Sequence, residues 1–125
     1  MTTMILYAGR ILLGGFFLFN AFHHFSQAGA MARYATMKGV PASKAAVLFS
    51  GFLLLVGGIS IMLNLYPMIG LSALVLFLIP VTLKMHAFWA VDDPNAKMGE
   101  TVQFMKNMAL LGAVLILFAG MNPSI

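Results

Sequence analysis

The sequence predicts an all-α protein: a polytopic four-helix bundle that spans a membrane, with a short interfacial helix between the first two spanning helices. Hydrophobic residues make up 62% of the 125 residues and charged residues 8%, against about 45–50% and about 25% in soluble domains. In water a chain of this length would leave large apolar patches exposed, whereas lipid solvates them. The polar segments between the apolar stretches are short, so residues 1–125 are predicted to form a single transmembrane domain.

The first spanning helix is predicted over about residues 4–24, which are almost entirely apolar. Residues 25–43 mix polar and apolar side chains, a composition typical of a helix that lies at the membrane interface. Gly39 permits a positive φ and Pro41 lacks a backbone N–H, so both favour a turn at the end of this short helix.

The second spanning helix is predicted over residues 45–65, a run of 21 residues without a charged side chain. At a rise of about 1.5 Å per residue, this helix is long enough to cross a hydrocarbon core of about 30 Å. Tyr66 and Pro67 leave room only for a tight turn, and proline suits the first turn of a helix. The third helix, residues 67–86, is therefore its antiparallel neighbour, and Pro80 predicts a kink near the end.

The fourth spanning helix is predicted over residues 101–121. Before it, residues 90–100 carry proline, asparagine, glycine and every acidic residue of the chain, a composition that predicts a polar loop. Small residues let two helices approach closely in a membrane. The predicted helix-packing positions are Gly14, Gly15, Gly57, Gly58, Ala109 and Gly112.

The basic residues predict the orientation of the bundle and argue against a nucleic-acid partner. They form no stripe that could follow a phosphate backbone. Most of them lie in loops one and three: Arg33, Lys38, Lys44, Lys84 and Lys97. Because positive loops stay in the cytoplasm, both termini are predicted to face outward, with Arg10 as a weak opposing signal.

Antiparallel packing brings the polar side chains of helices one, three and four together at the end formed by loops one and three. An ionisable group costs about 2.5–3.5 kcal/mol at the centre of a membrane helix, so such groups are candidates for function. Candidate residues for binding a quinone or a lipid headgroup are Arg10, Asn20, His24, His86, Trp89, Lys106 and Asn107.

Each charged candidate also has a purely structural interpretation. Lys106 lies near a predicted helix start and could send its ammonium to the headgroups, as long lysine side chains do. Arg10 could face an anionic lipid or the carboxyl end of a neighbouring helix. His23 and His24 point about 100° apart on a helix, so no metal site is predicted. No catalytic residue is identified.

Five short motifs occur in an order that resembles the DoxX family of small bacterial and archaeal membrane proteins. The first lies in helix one and the last in helix four, so together they span nearly the whole chain. They are Gly9–Gly14, Lys38–Pro41, Gly57–Gly58, His86–Trp89 and Lys106–Gly112.

The resemblance implies a four-helix bundle in the cytoplasmic (inner) membrane of a prokaryote, and a loose association with redox processes such as quinone-linked sulfur oxidation. Many members of the family carry a glutamate shortly before the second-helix glycine pair, where this chain has Leu54. That departure removes an intramembrane proton carrier, so autonomous catalysis is not expected.

Three functions follow as hypotheses. The first is an accessory or anchoring subunit of a membrane redox assembly, held against other membrane subunits by its small-residue faces. The second is a protein that binds a quinone or a lipid headgroup on its own, with quinone as the only cofactor the sequence suggests. The third is a small transporter, which only Pro80 supports. Membrane lipids are partners in each case, and homo-oligomers remain open.

Overall fold

The computed structural model describes residues 1–120, which are almost entirely helical. The α-helices are α1 (Thr2–Ser26), α2 (Ala28–Met37), α3 (Ser43–Leu63), α4 (Pro67–Met85) and α5 (Pro94–Gly120), and a 3-10 turn covers Phe88–Ala90. Four helices, α1, α3, α4 and α5, are long and apolar enough to cross a membrane. The predicted all-α membrane helical bundle is therefore confirmed, and the short helix between the first two spans is α2.

The connection between α2 and α3 follows the predicted turn chemistry. Gly39 has a φ of 83°, a conformation that glycine adopts without steric cost. The apolar face of α2 packs on the start of α3 through Ala32, Ala35 and Val47. This contact holds α2 across one end of the bundle.

The turn between α3 and α4 is tight and hydrogen-bonded. Asn64 and Tyr66 both adopt the left-handed conformation, with φ of 54° and 44°. The Ser60 hydroxyl, in the last turn of α3, donates to the carbonyl oxygen of Leu65 in the turn at 2.6 Å, which satisfies an acceptor of the turn backbone. Pro67 then begins α4, so α3 and α4 run antiparallel and in contact.

The spanning helices pack in the order α1, α3, α4, α5. Their shared core contains large side chains with less than 2% exposure, namely Phe17, Leu54, Leu74, Leu78 and Val114. Within residues 1–120, α1 and α5 do not pack against each other over any length. The bundle is therefore an arc, and the gap between its first and last helices contains the cavity described below.

Glycines set the close approach of α1 to α3. A Cβ added at Gly14 would lie 2.9 Å from the Met62 backbone nitrogen and 3.0 Å from the Gly58 carbonyl oxygen. Both neighbours are backbone atoms, which cannot move aside as a flexible side chain can. Only glycine at position 14 therefore allows this helix spacing.

The other predicted packing positions differ in their surroundings. Gly57 and Gly58 face leucine side chains so closely that an added Cβ would overlap them, whereas Gly15 meets only one methyl group at 3.7 Å. On α5, Ala109 is exposed, and no neighbouring atom of the described chain lies within 4 Å of a Cβ added at Gly112. The small face of α5 is thus unused inside the bundle.

The predicted polar loop over residues 90–100 is wrong for its second half, because α5 begins at Pro94 rather than at residue 101. The Asp93 carboxylate accepts the Ala96 backbone N–H at 2.9 Å, as an N-cap residue does, and proline fits the first helical position. The polar composition of residues 90–100 is typical of a loop, but it is also typical of a capped helix end that projects from the membrane. Lys106 consequently lies about 18 Å from the start of its helix.

Candidate functional site

A cavity of about 580 Å³ extends from the gap between α1 and α5 into the bundle, and residues of all five helices line it. Its walls are mainly aromatic and aliphatic: Phe16, Phe17, Leu54, Phe77, Leu78 and Leu110. Most of its polar lining comes from α1, α5 and the end of α4: Asn20, His24, Lys84, His86, Gln103, Lys106 and Asn107. An apolar pocket of this size with a few convergent polar groups is typical of a small-molecule site.

Five of the predicted candidates line this cavity: Asn20, His24, His86, Lys106 and Asn107. Arg10 does not. Its Nη1 donates to the Ile61 carbonyl oxygen at 3.0 Å, in the last turn of α3. A helix leaves its final carbonyl groups unpaired and partially negative, so Arg10 caps α3.

Trp89, the remaining predicted candidate, also lies outside the cavity. Its indole is exposed and packs edge-on against the rings of Phe88 and Phe104, with centroids 5.2 and 5.7 Å away. This aromatic cluster connects the 3-10 turn to α5. An exposed tryptophan at the end of a spanning helix is well suited to the membrane interface.

His24 offers a hydrogen-bond acceptor to the cavity. Its Nδ1 lies 2.9 Å from the Asn20 carbonyl oxygen. Because a carbonyl can only accept, Nδ1 carries the proton, and Nε2 of the neutral ring is left as an acceptor. The adjacent His23 instead packs edge-on against the ring of Phe19, with centroids 4.5 Å apart. Residues 1–120 contain no group of three or more histidine, cysteine, aspartate or glutamate side chains placed to bind a metal ion.

Lys106 points across the gap from α5 towards α1. Its Nζ donates to the Gln103 side-chain oxygen at 2.8 Å and lies 5.6 Å from the centre of the Phe16 ring. Within the described residues, no acidic side chain lies within ion-pair distance of Lys106. The ammonium is thus held at the cavity by neutral groups.

Asn107, the next residue on α5, is only 5% exposed and lines the cavity. Its amide makes no hydrogen bond with the rest of residues 1–120. The amide atoms are not enclosed by the protein, since the fully buried side-chain polar atom without a partner among residues 1–120 is Thr82 Oγ1. The free donors and acceptor of Asn107 are therefore available to a molecule in the cavity.

A buried carboxylate beside the cavity was missed by sequence reasoning. Glu100 is 8% exposed and accepts from the Tyr34 hydroxyl at 2.6 Å, pairs with the Lys38 ammonium at 2.5 Å and lies 3.1 Å from His86 Nδ1. These four residues, the Glu100 cluster, connect α2, the following turn, the end of α4 and α5.

The sequence did not predict the Glu100 cluster, because Glu100 lies in the segment predicted to be a polar loop. Once α5 starts at Pro94, Glu100, Gln103 and Asn107 share one helix face at i, i+3 and i+7 spacing. Burial and the hydrogen bond to the Glu100 carboxylate raise the pKa of Tyr34, because the neighbouring negative charge disfavours a second anion. The i, i+3 and i+7 spacing of Glu100, Gln103 and Asn107 is the signal in the sequence that could have placed Glu100 with the site.

The sequence profile of the DoxX family matches residues 5–87 of the chain. The chain belongs to the DoxX family. Together with the four apolar helices, membership identifies it as a multi-pass integral membrane protein. No curated protein and no solved structure matches the chain.

The DoxX match extends over α1 to α4 and ends before α5. It therefore includes His24, Tyr34 and Lys38 but not Glu100 or Asn107, and it does not reach the resemblance noted at Lys106–Gly112. Leu54, which precedes the second-helix glycine pair, is buried and lines the cavity.

Proposed function

We propose that this protein binds an amphipathic molecule, a quinone or a lipid with a polar headgroup, in the cavity between α1 and α5. The observation that carries the proposal is the unpaired amide of Asn107 on the lining of a cavity whose walls are largely apolar. An apolar ligand alone would leave this amide unsatisfied, and a polar ligand alone would leave the aromatic walls without partners. An amphipathic molecule satisfies both.

The polar groups at the cavity match such a headgroup chemically. Lys106 and the Asn107 amide supply hydrogen-bond donors, and His24 Nε2 supplies an acceptor. A quinone carbonyl or a lipid phosphate would accept from the donors, and a quinol or lipid hydroxyl would donate to His24. The ligand would enter sideways from the bilayer, since α1 and α5 are not packed together along their length. The proposal involves binding and no covalent step.

The proposed ligand can be tested by purifying the protein in a mild detergent and identifying co-purified quinones and lipids by native mass spectrometry. We expect Asn107→Leu, which keeps the side-chain volume and removes the amide, to lower ligand occupancy about tenfold. Asn95→Leu is the matched control, because Asn95 is exposed near the start of α5 and does not line the cavity. Equal occupancy in wild type and Asn107→Leu, or no ligand in either, would contradict the proposal.

A role as an accessory or anchoring subunit of a membrane redox assembly is the second candidate function. It is supported by the outward small face of α5, where Ala109 is exposed and Gly112 has no neighbour within 4 Å among residues 1–120. Such a face would let a helix of another subunit pack closely. Replacing Gly112 with leucine should release a co-purifying redox subunit, and a wild-type protein that purifies without any partner would exclude this function.

We also propose that the protein lies in the cytoplasmic membrane of a prokaryote, with the Glu100 cluster at the cytoplasmic end. Lys38 and Lys97 lie at that end, and positive charge accumulates on the cytoplasmic side of membrane proteins. The headgroup site would then be near the cytoplasmic leaflet.

A further inference from the structure

The charges that line the cavity are unbalanced. Its charged side chains, Lys84 and Lys106, are both basic, and none of its described lining residues is aspartate or glutamate. The carboxylate of Glu100, which contacts the lining residues Tyr34 and His86, is already paired with Lys38. The cavity therefore presents positive charge that the described part of the protein does not neutralise.

Lys106 is exposed at the edge of the cavity, and no charged group of the described chain balances its ammonium. Gln103 and the Phe16 ring orient the ammonium, but both are neutral. An aromatic face attracts a cation without cancelling its charge. In an apolar environment a charged group needs a partner of opposite charge as well as hydrogen bonds.

His24 places a second requirement on the chemistry of the ligand. The proton on Nδ1 is committed to the Asn20 carbonyl oxygen, so Nε2 is an acceptor and would repel the lone pairs of an anionic oxygen. The preferred partner of His24 is a hydroxyl group. A single headgroup that carries both an oxyanion and a hydroxyl satisfies Lys106 and His24 together.

We infer that the ligand is an anionic phospholipid whose headgroup carries a hydroxyl, with the phosphate at Lys106 and the Asn107 amide and the hydroxyl at His24 Nε2. Its acyl chain would lie along Phe16 and Leu110, which line the cavity on α1 and α5. This inference rests on the proposed function and narrows it, because a neutral quinone would leave the charge on Lys106 unpaired.

The test is a competition experiment on the full-length protein. The purified protein is mixed with equal amounts of phosphatidylglycerol, phosphatidylethanol, phosphatidylcholine and ubiquinone, and the retained molecules are counted by native mass spectrometry. We expect phosphatidylglycerol to exceed phosphatidylcholine about tenfold, as one additional charge interaction would give. Phosphatidylethanol, which has the same single negative charge but no headgroup hydroxyl, should be retained less than phosphatidylglycerol.

Three variants assign the preference to individual residues. Lys106→Gln should abolish the preference for anionic lipid, and Lys106→Arg, which keeps the charge, should retain it. Lys97→Gln is the matched control, because Lys97 is an exposed lysine of α5 outside the cavity. The arginine variant distinguishes loss of charge from loss of folding.

The outcomes separate this inference from the proposed function. Equal retention of phosphatidylglycerol and phosphatidylcholine, or a preference that persists in Lys106→Gln, overturns the anionic headgroup. Equal retention of phosphatidylethanol and phosphatidylglycerol overturns the hydroxyl requirement. Retention of ubiquinone in place of the phospholipids overturns this inference and supports the proposed function, whereas retention of none of the four molecules overturns both.

Discussion

The Tyr34 hydroxyl donates a 2.6 Å hydrogen bond to the Glu100 carboxylate, which joins residues 66 positions apart in the chain. Tyr34 belongs to α2 and Glu100 to α5, so this bond ties the short helix to the last spanning helix. Lys38 pairs with the same carboxylate from the turn after α2. The Glu100 cluster thereby holds α2 across the end of the cavity, whose lining includes Tyr34 itself.

Removing the charge of Glu100 should destabilise the protein substantially. In Glu100→Gln the Lys38 ammonium would lose its charge partner in a largely buried setting, and breaking such a pair costs about 3 kcal/mol. Thermal unfolding of the detergent-solubilised variant should show a clear drop in Tm. Asp92→Asn is the control, since Asp92 is exposed and makes no ion pair within residues 1–120. Similar Tm values for the two variants would refute a stabilising role for the Glu100 cluster.

Tyr34 should titrate at higher pH than an ordinary tyrosine. Burial and the adjacent Glu100 carboxylate raise its pKa, so the folded state holds the phenol proton more tightly than the unfolded state does. The hydrogen bond therefore makes its full contribution to the free energy of unfolding below about pH 10, the usual tyrosine pKa. This contribution is lost as the pH rises through the higher pKa of the folded state.

Ultraviolet absorbance of tyrosinate measures this titration. The chain has three tyrosines, so the difference in absorbance between wild type and Tyr34→Phe isolates the signal of Tyr34. A Tyr34 signal that appears at about pH 10, the usual tyrosine pKa, would mean that the bond to Glu100 does not form in solution.

Replacing Gly14 or Gly112 with alanine adds one methyl group, and the two changes should shift the stability of the protein in opposite directions. In Gly14→Ala the Cβ would contact backbone atoms of Met62 and Gly58 at 2.9 and 3.0 Å, so the helices must separate, and overpacking of this kind costs about 1–3 kcal/mol. In Gly112→Ala the Cβ meets nothing within 4 Å in the described chain, and alanine is favoured over glycine in a helix by up to about 1 kcal/mol. Unfolding by denaturant in mixed micelles would compare them, and equal stabilities would contradict the packing described for Gly14.

Single cysteines can report the orientation, because the chain contains none. We expect a membrane-impermeant maleimide applied to intact cells to label Leu65→Cys and not Lys97→Cys. Leu65 is exposed in the turn between α3 and α4, and Lys97 is exposed near the start of α5, at the opposite end of the bundle. Both variants should react after the membrane is permeabilised. Labelling of Lys97→Cys alone in intact cells would reverse the proposed orientation.

The candidate site was partly predictable. Asn20, His24 and Lys106 were expected at one end of the bundle because antiparallel helices place those positions at similar depth, and all three line the cavity. Trp89 was expected there for the same reason, whereas Arg10 was a candidate only as a charged residue in a membrane helix, and neither lines the cavity. Their partners, the carbonyl group of Ile61 and the ring of Phe104, come from distant parts of the chain and leave no local pattern.

The sequence by itself determined the membrane environment, the helical class and the tight turn between α3 and α4. These features depend on composition, on the length of apolar runs and on local turn chemistry, all of which act over a few neighbouring residues. The match to the DoxX family profile over residues 5–87 likewise depends on the sequence alone.

Only the tertiary structure decided which helix faces meet. In lipid the outer surface of a helix is as apolar as its packed surface, so hydropathy does not show how each helix is rotated. The gap between α1 and α5, the unpaired amide of Asn107 and the contact between Tyr34 and Glu100 all depend on that rotation. These features follow from steric fit between helices, which is a property of the whole bundle.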